Sequence, residues 1–140
     1  MRVAIGCDHG GIDLKNTVIS VLKELGHVVD DQGCNSTDSV DYPNFAKSVS
    51  SLVNDGKCDC GILICGTGIG MSMAANRVPG IRAALCNEMF SAKMSREHND
   101  ANVLCLGARV IGPGLAAEIV KIWMTSEFAG GRHQRRIDMF

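Results

Sequence analysis

A chain of 140 residues fits one compact domain, and 46% hydrophobic residues with 16 Gly and few aromatics describe an α/β core packed from Ala, Val, Ile, Leu and Met, with no sign of disorder. The formal net charge of −1 argues against a general polyanion-binding surface and so against nucleic acid as a partner. Asp8, His9, Asp13 and Lys15 interrupt the first twenty residues, which argues against a signal segment there; no apolar run approaches a membrane span, and the cytoplasm is the expected compartment.

Arg2–Cys7 reads as a short apolar strand, followed by a helix from about Gly11 to Leu25 that Gly26 ends. His27–Asp30 is a second strand, and Asn35–Asp41 a polar loop with turn chemistry. Pro43 opens a helix through Val53, because proline is tolerated in a first turn, and Asn54-Asp55-Gly56 ends it. Cys58–Cys65 is a third strand whose continuous run Gly61-Ile62-Leu63-Ile64 suits a central parallel strand buried on both faces. A helix over Ile69–Asn76, a turn at Pro79-Gly80, a strand over Ile81–Leu85, a helix over about Asn87–Glu97, a strand over Val103–Leu106 and a last helix over about Gly114–Glu127 complete the order. Strict alternation of five strands and five helices predicts a three-layer Rossmann-like α/β fold, a five-stranded parallel sheet with helices on both faces. Residues 1–140 read as one domain, with no internal repeat and a tail from about residue 128.

Seven cysteines, an odd number in mostly apolar contexts, read as reduced thiols. Cys58-Asp59-Cys60 has spacing two, which puts both thiols on one face of a strand and does not match a CxxC knuckle; no metal site is expected. Cys65 stands apart because Gly66, Gly68 and Gly70 follow it at alternate positions, with a helix expected to start near Ile69. Such a loop brings backbone N–H groups close to an anion, and a helix N-terminus at the same spot favours a thiolate. The plainer alternative is a tight turn beside a buried cysteine. Gly66-Thr67-Gly68-Ile69-Gly70-Met71 is neither GxGxxG nor a P-loop, which disfavours NAD or ATP; no cofactor is expected.

In a parallel sheet the ligand site lies beyond the carboxyl ends of the strands, where the first strand also delivers Cys7-Asp8-His9-Gly10-Gly11. Asp8 and His9 join the Cys65 loop there if the first and third strands are neighbours; otherwise they are a helix N-terminal carboxylate and a surface imidazole. Ser95–Asn99 end a helix that runs against the strands, and eleven helical residues span roughly 16 Å, so His98 is expected at the amino edge of the sheet. A catalytic His98 would therefore serve another subunit's site. The tail Gly130–Arg136 leaves from that same edge, and Arg132, Arg135 and Arg136 suit a phosphate or carboxylate clamp, or else a solvated basic tail.

Asp8-His9-Gly10-Gly11, Asp41-Tyr42-Pro43, Cys65–Gly70, Ala74-Ala75-Asn76-Arg77, Arg96–Asn102, Leu106-Gly107-Ala108-Arg109 and Arg132–Ile137 together resemble ribose-5-phosphate isomerase type B over essentially the whole chain. That family also includes allose-6-phosphate and galactose-6-phosphate isomerases. The resemblance implies a metal-free aldose–ketose isomerase of the pentose phosphate pathway that converts ribose 5-phosphate to ribulose 5-phosphate through a cis-enediolate. By similarity, Cys65 is the base, Thr67 assists it, Gly66, Gly68, Ile69 and Gly70 form the oxyanion loop, His98 opens the sugar ring and Asp8 holds sugar hydroxyls. His9, Arg109, Arg132 and Arg136 match phosphate ligands, and Tyr42 and Asn99 match sugar contacts. Arg135 is left to the surface or an interface. A branch of the family uses a later Glu as base, and that position is Met71 here, which cannot take a proton. The minimum active unit implied is a homodimer with shared active sites, with further assembly to a tetramer left open. A six-carbon phosphate substrate and a non-catalytic sugar-phosphate-binding module are the alternatives.

Overall fold

The computed structural model describes residues 1–140. The elements are β1 (Arg2–Cys7), α1 (Ile12–Glu24), β2 (Val28–Asp31), α2 (Tyr42–Asn54), β3 (Cys60–Cys65), α3 (Ile69–Ala75), β4 (Ala83–Leu85), α4 (Met89–Asn99), β5 (Val103–Gly107), α5 (Pro113–Thr125) and α6 (Arg132–Ile137). All five strands are parallel, in the order β2-β1-β3-β5-β4. The expected three-layer α/β fold is present, with α6 added to it.

The central strand is buried at every position, as its unbroken apolar run required. Alternation along the strands divides the core in two. Val3, Ile5, Ile62, Ile64, Leu104 and Leu106 face α1 and α5, where Val18, Leu22, Ile119 and Trp123 cover them. Ala4, Leu63, Cys65, Val103 and Cys105 face α2 and α3, against Ala46, Val49, Met71 and Ala75. Cys58 and Cys60 belong to opposite halves of this core, not to one face. β3 starts only at Cys60, and Cys58 lies in the turn before it, where period-two alternation does not apply.

The chain moves outward from β1 to β2, then returns beneath α2 to β3 on the other side of β1. That reversal leaves a crevice between the carboxyl ends of β1 and β3. At the far side β4 is a three-residue edge strand, shorter than the sequence suggested. The Asn76 carboxamide donates to Ala83 O at 2.9 Å and accepts from Ala83 N–H at 2.8 Å, while Asn102 accepts from Arg82 N–H and donates to Gly80 O, both at 2.8 Å. Side chains thus occupy backbone groups that an open sheet edge would expose.

The tail is not the plain basic extension the sequence suggested but the short helix α6. Ala129 N–H donates to Glu97 O at 2.9 Å, and Gly130 and Gly131 turn the chain with φ of 63° and 56°. Only Ile137 of the helix is buried, so no apolar periodicity announced it.

Lys15 of α1 is 1% exposed, yet its ammonium is fully engaged: Asp31 Oδ1 at 2.9 Å, Asp31 Oδ2 at 3.0 Å, Cys34 O at 2.9 Å and Asn35 Oδ1 at 2.8 Å. It joins α1 to the end of β2 and to the loop that follows. Lys15→Met would take away the cation paired with Asp31 and the donor to Asn35 Oδ1, while Asp31 Oδ1 keeps Gly33 N–H at 2.9 Å. A loss of about 3 kcal/mol is expected, at the lower end for a broken buried pair because Asp31 keeps 35% of its side chain exposed. Urea unfolding with an unchanged m-value would show it.

Candidate active site

Three strand ends build one cleft of about 530 Å³, lined by Asp8, His9, Gly10, Tyr42, Cys65, Gly66, Thr67, Ile69, Gly70, Met73 and Arg109. Backbone bonds set the loops against each other. Asp8 N–H donates to Ile64 O at 3.0 Å, Ala108 N–H to Cys65 O at 2.8 Å and Arg109 N–H to Gly66 O at 2.9 Å. The β1 loop is tightened by Gly10 N–H donating to Asp8 Oδ1 at 2.9 Å. His9 Nδ1 accepts from Val40 N–H at 3.3 Å, which assigns the proton of the neutral ring to Nε2.

Cys65 ends β3, and its Sγ accepts a hydrogen bond from Gly68 N–H at 3.1 Å. An N–H donor on sulfur, next to the start of α3, stabilises negative charge there. Gly68 reaches this position only with φ of 77°, and a Cβ on it would lie 2.5 Å from Leu85 Cδ1 and 3.0 Å from Leu106 O. Ile69 N–H is taken by Thr67 Oγ1 at 3.3 Å. Two of the loop's donors are therefore committed within the loop, while the N–H groups of Gly66 and Thr67 have no acceptor in the protein. Gly70 lets the Tyr42 ring lie flush on the loop, since a Cβ there would sit 2.6 Å from Tyr42 Cζ. Met71, on the inner face of α3, is fully buried as core.

Burial pushes Cys7 and Cys86 up to about 11 and Cys60 up to about 12, and raises Cys105 further. No three His, Cys, Asp or Glu side chains come together as a metal-binding group.

His98 and Asn99 end α4, and none of the residues of α4 or α6 lines the cleft. The Arg82 side chain, just before β4, donates to Asn99 O and Asp100 O at 3.0 Å, and pairs with Asp100 at 2.9 Å. These bonds fix the end of α4 at the amino edge, as its length predicted. Arg132 and Arg136 of α6 stand beside it, with His98 and His133 stacked at 4.2 Å between centroids and 8° between planes. The fold therefore brings together Asp8, His9, Tyr42, Cys65, Gly66, Thr67, Ile69, Gly70 and Arg109, with Gly68 beneath them. It places His98, Asn99, Arg132 and Arg136 in a second group at the other edge. Arg109, Arg132 and Arg136 form no ion pair within the chain. Sequence reasoning passed over Met73, whose side chain carries no chemical signal, and gave His133 no role although it lies inside a motif.

The Ribose/Galactose Isomerase family model matches residues 3–140. Ribose-5-phosphate isomerase B of Escherichia coli is 49% identical over 98% of this chain and 92% of its own length. D-erythrulose-4-phosphate isomerase of Pectobacterium atrosepticum is 45% identical over 99% of this chain and 91% of its own. The solved structure of ribose-5-phosphate isomerase B from Clostridium thermocellum superposes with a TM-score of 0.98 at 53% identity, covering 99% of this chain and 94% of that one.

The loop geometry separates two glycine substitutions. Gly68→Ala forces a left-handed alanine against backbone and is expected to cost more than about 2 kcal/mol. Gly70→Ala meets only the ring of Tyr42, whose outer edge is exposed, and should displace that ring with little loss of stability. Calorimetric melting of the two variants beside a Tyr42 NMR probe checks both.

Proposed function

The chain belongs to the Ribose/Galactose Isomerase family, and on that premise we propose that it interconverts D-ribose 5-phosphate and D-ribulose 5-phosphate through a cis-enediolate. The observation that carries this reading is the hydrogen-bonded Cys65 thiol in a cleft that also holds the unpaired Arg109 guanidinium and the acceptor-free N–H groups of Gly66 and Thr67. As a thiolate, Cys65 takes the proton from the carbon beside the carbonyl and returns it to the neighbouring carbon, with Thr67 close by. The unpaired N–H groups of Gly66 and Thr67 meet the charge that develops on the enediolate oxygen, and such fixed donors need no reorganisation during the reaction. Asp8 holds sugar hydroxyls, Tyr42 packs along the sugar, and His9 and Arg109 take the phosphate.

His98, Asn99, Arg132 and Arg136 complete the site from a second subunit. His98 opens the furanose, Asn99 contacts the sugar, and the two arginines clamp the phosphate through planar guanidinium contacts. Their position at the amino edge, with no anion paired to either arginine, supports a homodimer as the working unit. Cytoplasmic carbohydrate metabolism is the setting this reading implies.

Three measurements test it. Cys65→Ala should fold and dimerise normally while turnover falls by about 10²–10⁴-fold or more, the contribution of a positioned base; retained turnover removes the thiol from its role. Mixing and refolding Cys65→Ala with His98→Asn should restore activity to about a quarter of sites if each site draws on two subunits, and to none if each is built within one chain. A four-carbon reading has its own support, because a relative 45% identical is named for erythrulose phosphate. Turnover on ribose 5-phosphate, allose 6-phosphate, galactose 6-phosphate and erythrulose 4-phosphate ranks the substrates, and binding of all four without turnover would make the protein a sugar-phosphate-binding module.

A further inference from the structure

His133 lies between the two arginines proposed as phosphate ligands but has no task in that chemistry. Its ring is nonetheless in parallel contact with His98, centroids 4.2 Å apart and planes 8° from parallel. Few other side chains of α6 are in a position to bind it to α4, since Ile137 alone is buried. Arg132 and Arg136 flank His133 on its own helix, and neither imidazole has a carboxylate at ion-pair distance. On α4, Glu97 is directed to Lys93 at 3.5 Å, and Arg96 to Asp100 at 3.2 Å. Partial burial, then His98, Arg132 and Arg136, hold His133 below the ordinary histidine range. Two face-to-face imidazolium ions with no counterion would repel each other.

We propose that His133 is a positioning residue for His98: the stack fixes the plane of the His98 imidazole and admits one proton to the pair, so that one ring stays neutral where the enzyme works. This rests on the ring-opening role proposed for His98. A fixed plane presents the same ring nitrogen to the sugar at every turnover, and a pair that shares one proton titrates in two separated steps.

The test follows the His133 ring by NMR through a pH titration of the full-length protein, as wild type and His98→Phe, and measures kcat and KM on ribose 5-phosphate for His133→Ala and His133→Phe. In His98→Phe, removing the like charge should raise the midpoint of His133 by about 0.7 pH, the repulsion of two charges 4 Å apart in water. His133→Phe, which restores a flat ring, should recover more kcat than His133→Ala at similar KM, and it carries the test if the alanine variant folds poorly. An unmoved His133 midpoint in His98→Phe, or wild-type kcat in both His133 variants, overturns the proposal. The midpoint is read without turnover, so a failure of the ring-opening role is seen separately, as wild-type activity in His98→Asn.

Discussion

A single backbone donor, the N–H of Gly68, decides how the end of β3 is used. To reach Cys65 Sγ at 3.1 Å, residue 68 must adopt φ of 77° directly above Leu85 and the Leu106 carbonyl. That in turn requires β5 beside β3 and the edge strand β4 beyond it. The strand order, the glycine and the geometry of the thiol are thus one constraint seen at three scales. Thr67 Oγ1 takes Ile69 N–H, while the N–H groups of Gly66 and Thr67 have no acceptor in the protein. A loop with every donor open would bind anions without discrimination; this one divides its donors between the thiol and the space beside it.

Charge follows the same division. Cations that stabilise the fold are paired or enclosed: Lys15 with Asp31, Arg82 and Arg96 with Asp100. The cations that match phosphate ligands are not, and an unpaired guanidinium on a rigid scaffold keeps its planar fork available to an anion. The two groups of unpaired cations lie at opposite edges of the sheet because α4 runs antiparallel to the strands for three turns. The bond from Ala129 N–H to Glu97 O and the His98–His133 stack hold α6 at the end of α4, away from the cleft. That separation within one subunit is the observation behind the proposal that a second subunit supplies the other group.

Much of this was legible in the sequence. Val3-Ala4-Ile5 and Ile62-Leu63-Ile64 are apolar runs that only a sheet covered on both faces can bury, and the glycine spacing after Cys65 marked the site before any topology was known. The position of His98 at the amino edge followed from helix length alone. Other features had no local signal. α6 is five polar residues and one apolar anchor, held by a backbone bond to Glu97 and by a histidine stack thirty-five residues apart in sequence. Cys58 and Cys60 look like one strand face until the strand is seen to begin between them. Lys15 reads as a surface charge, and becomes a buried one only because Asp31, Cys34 and Asn35 meet it from elsewhere.

The sequence by itself determined the fold class, the element order, the family resemblance and the thiol-bearing loop, because periodicity, turn chemistry and motif spacing act over a few residues and survive without their surroundings. Only the tertiary structure decided the strand order, which donors the loop keeps for Cys65 and which cations stay unpaired. Each of those depends on contacts between residues distant along the chain, where the same side chain is core, ion pair or ligand according to what packing brings to it.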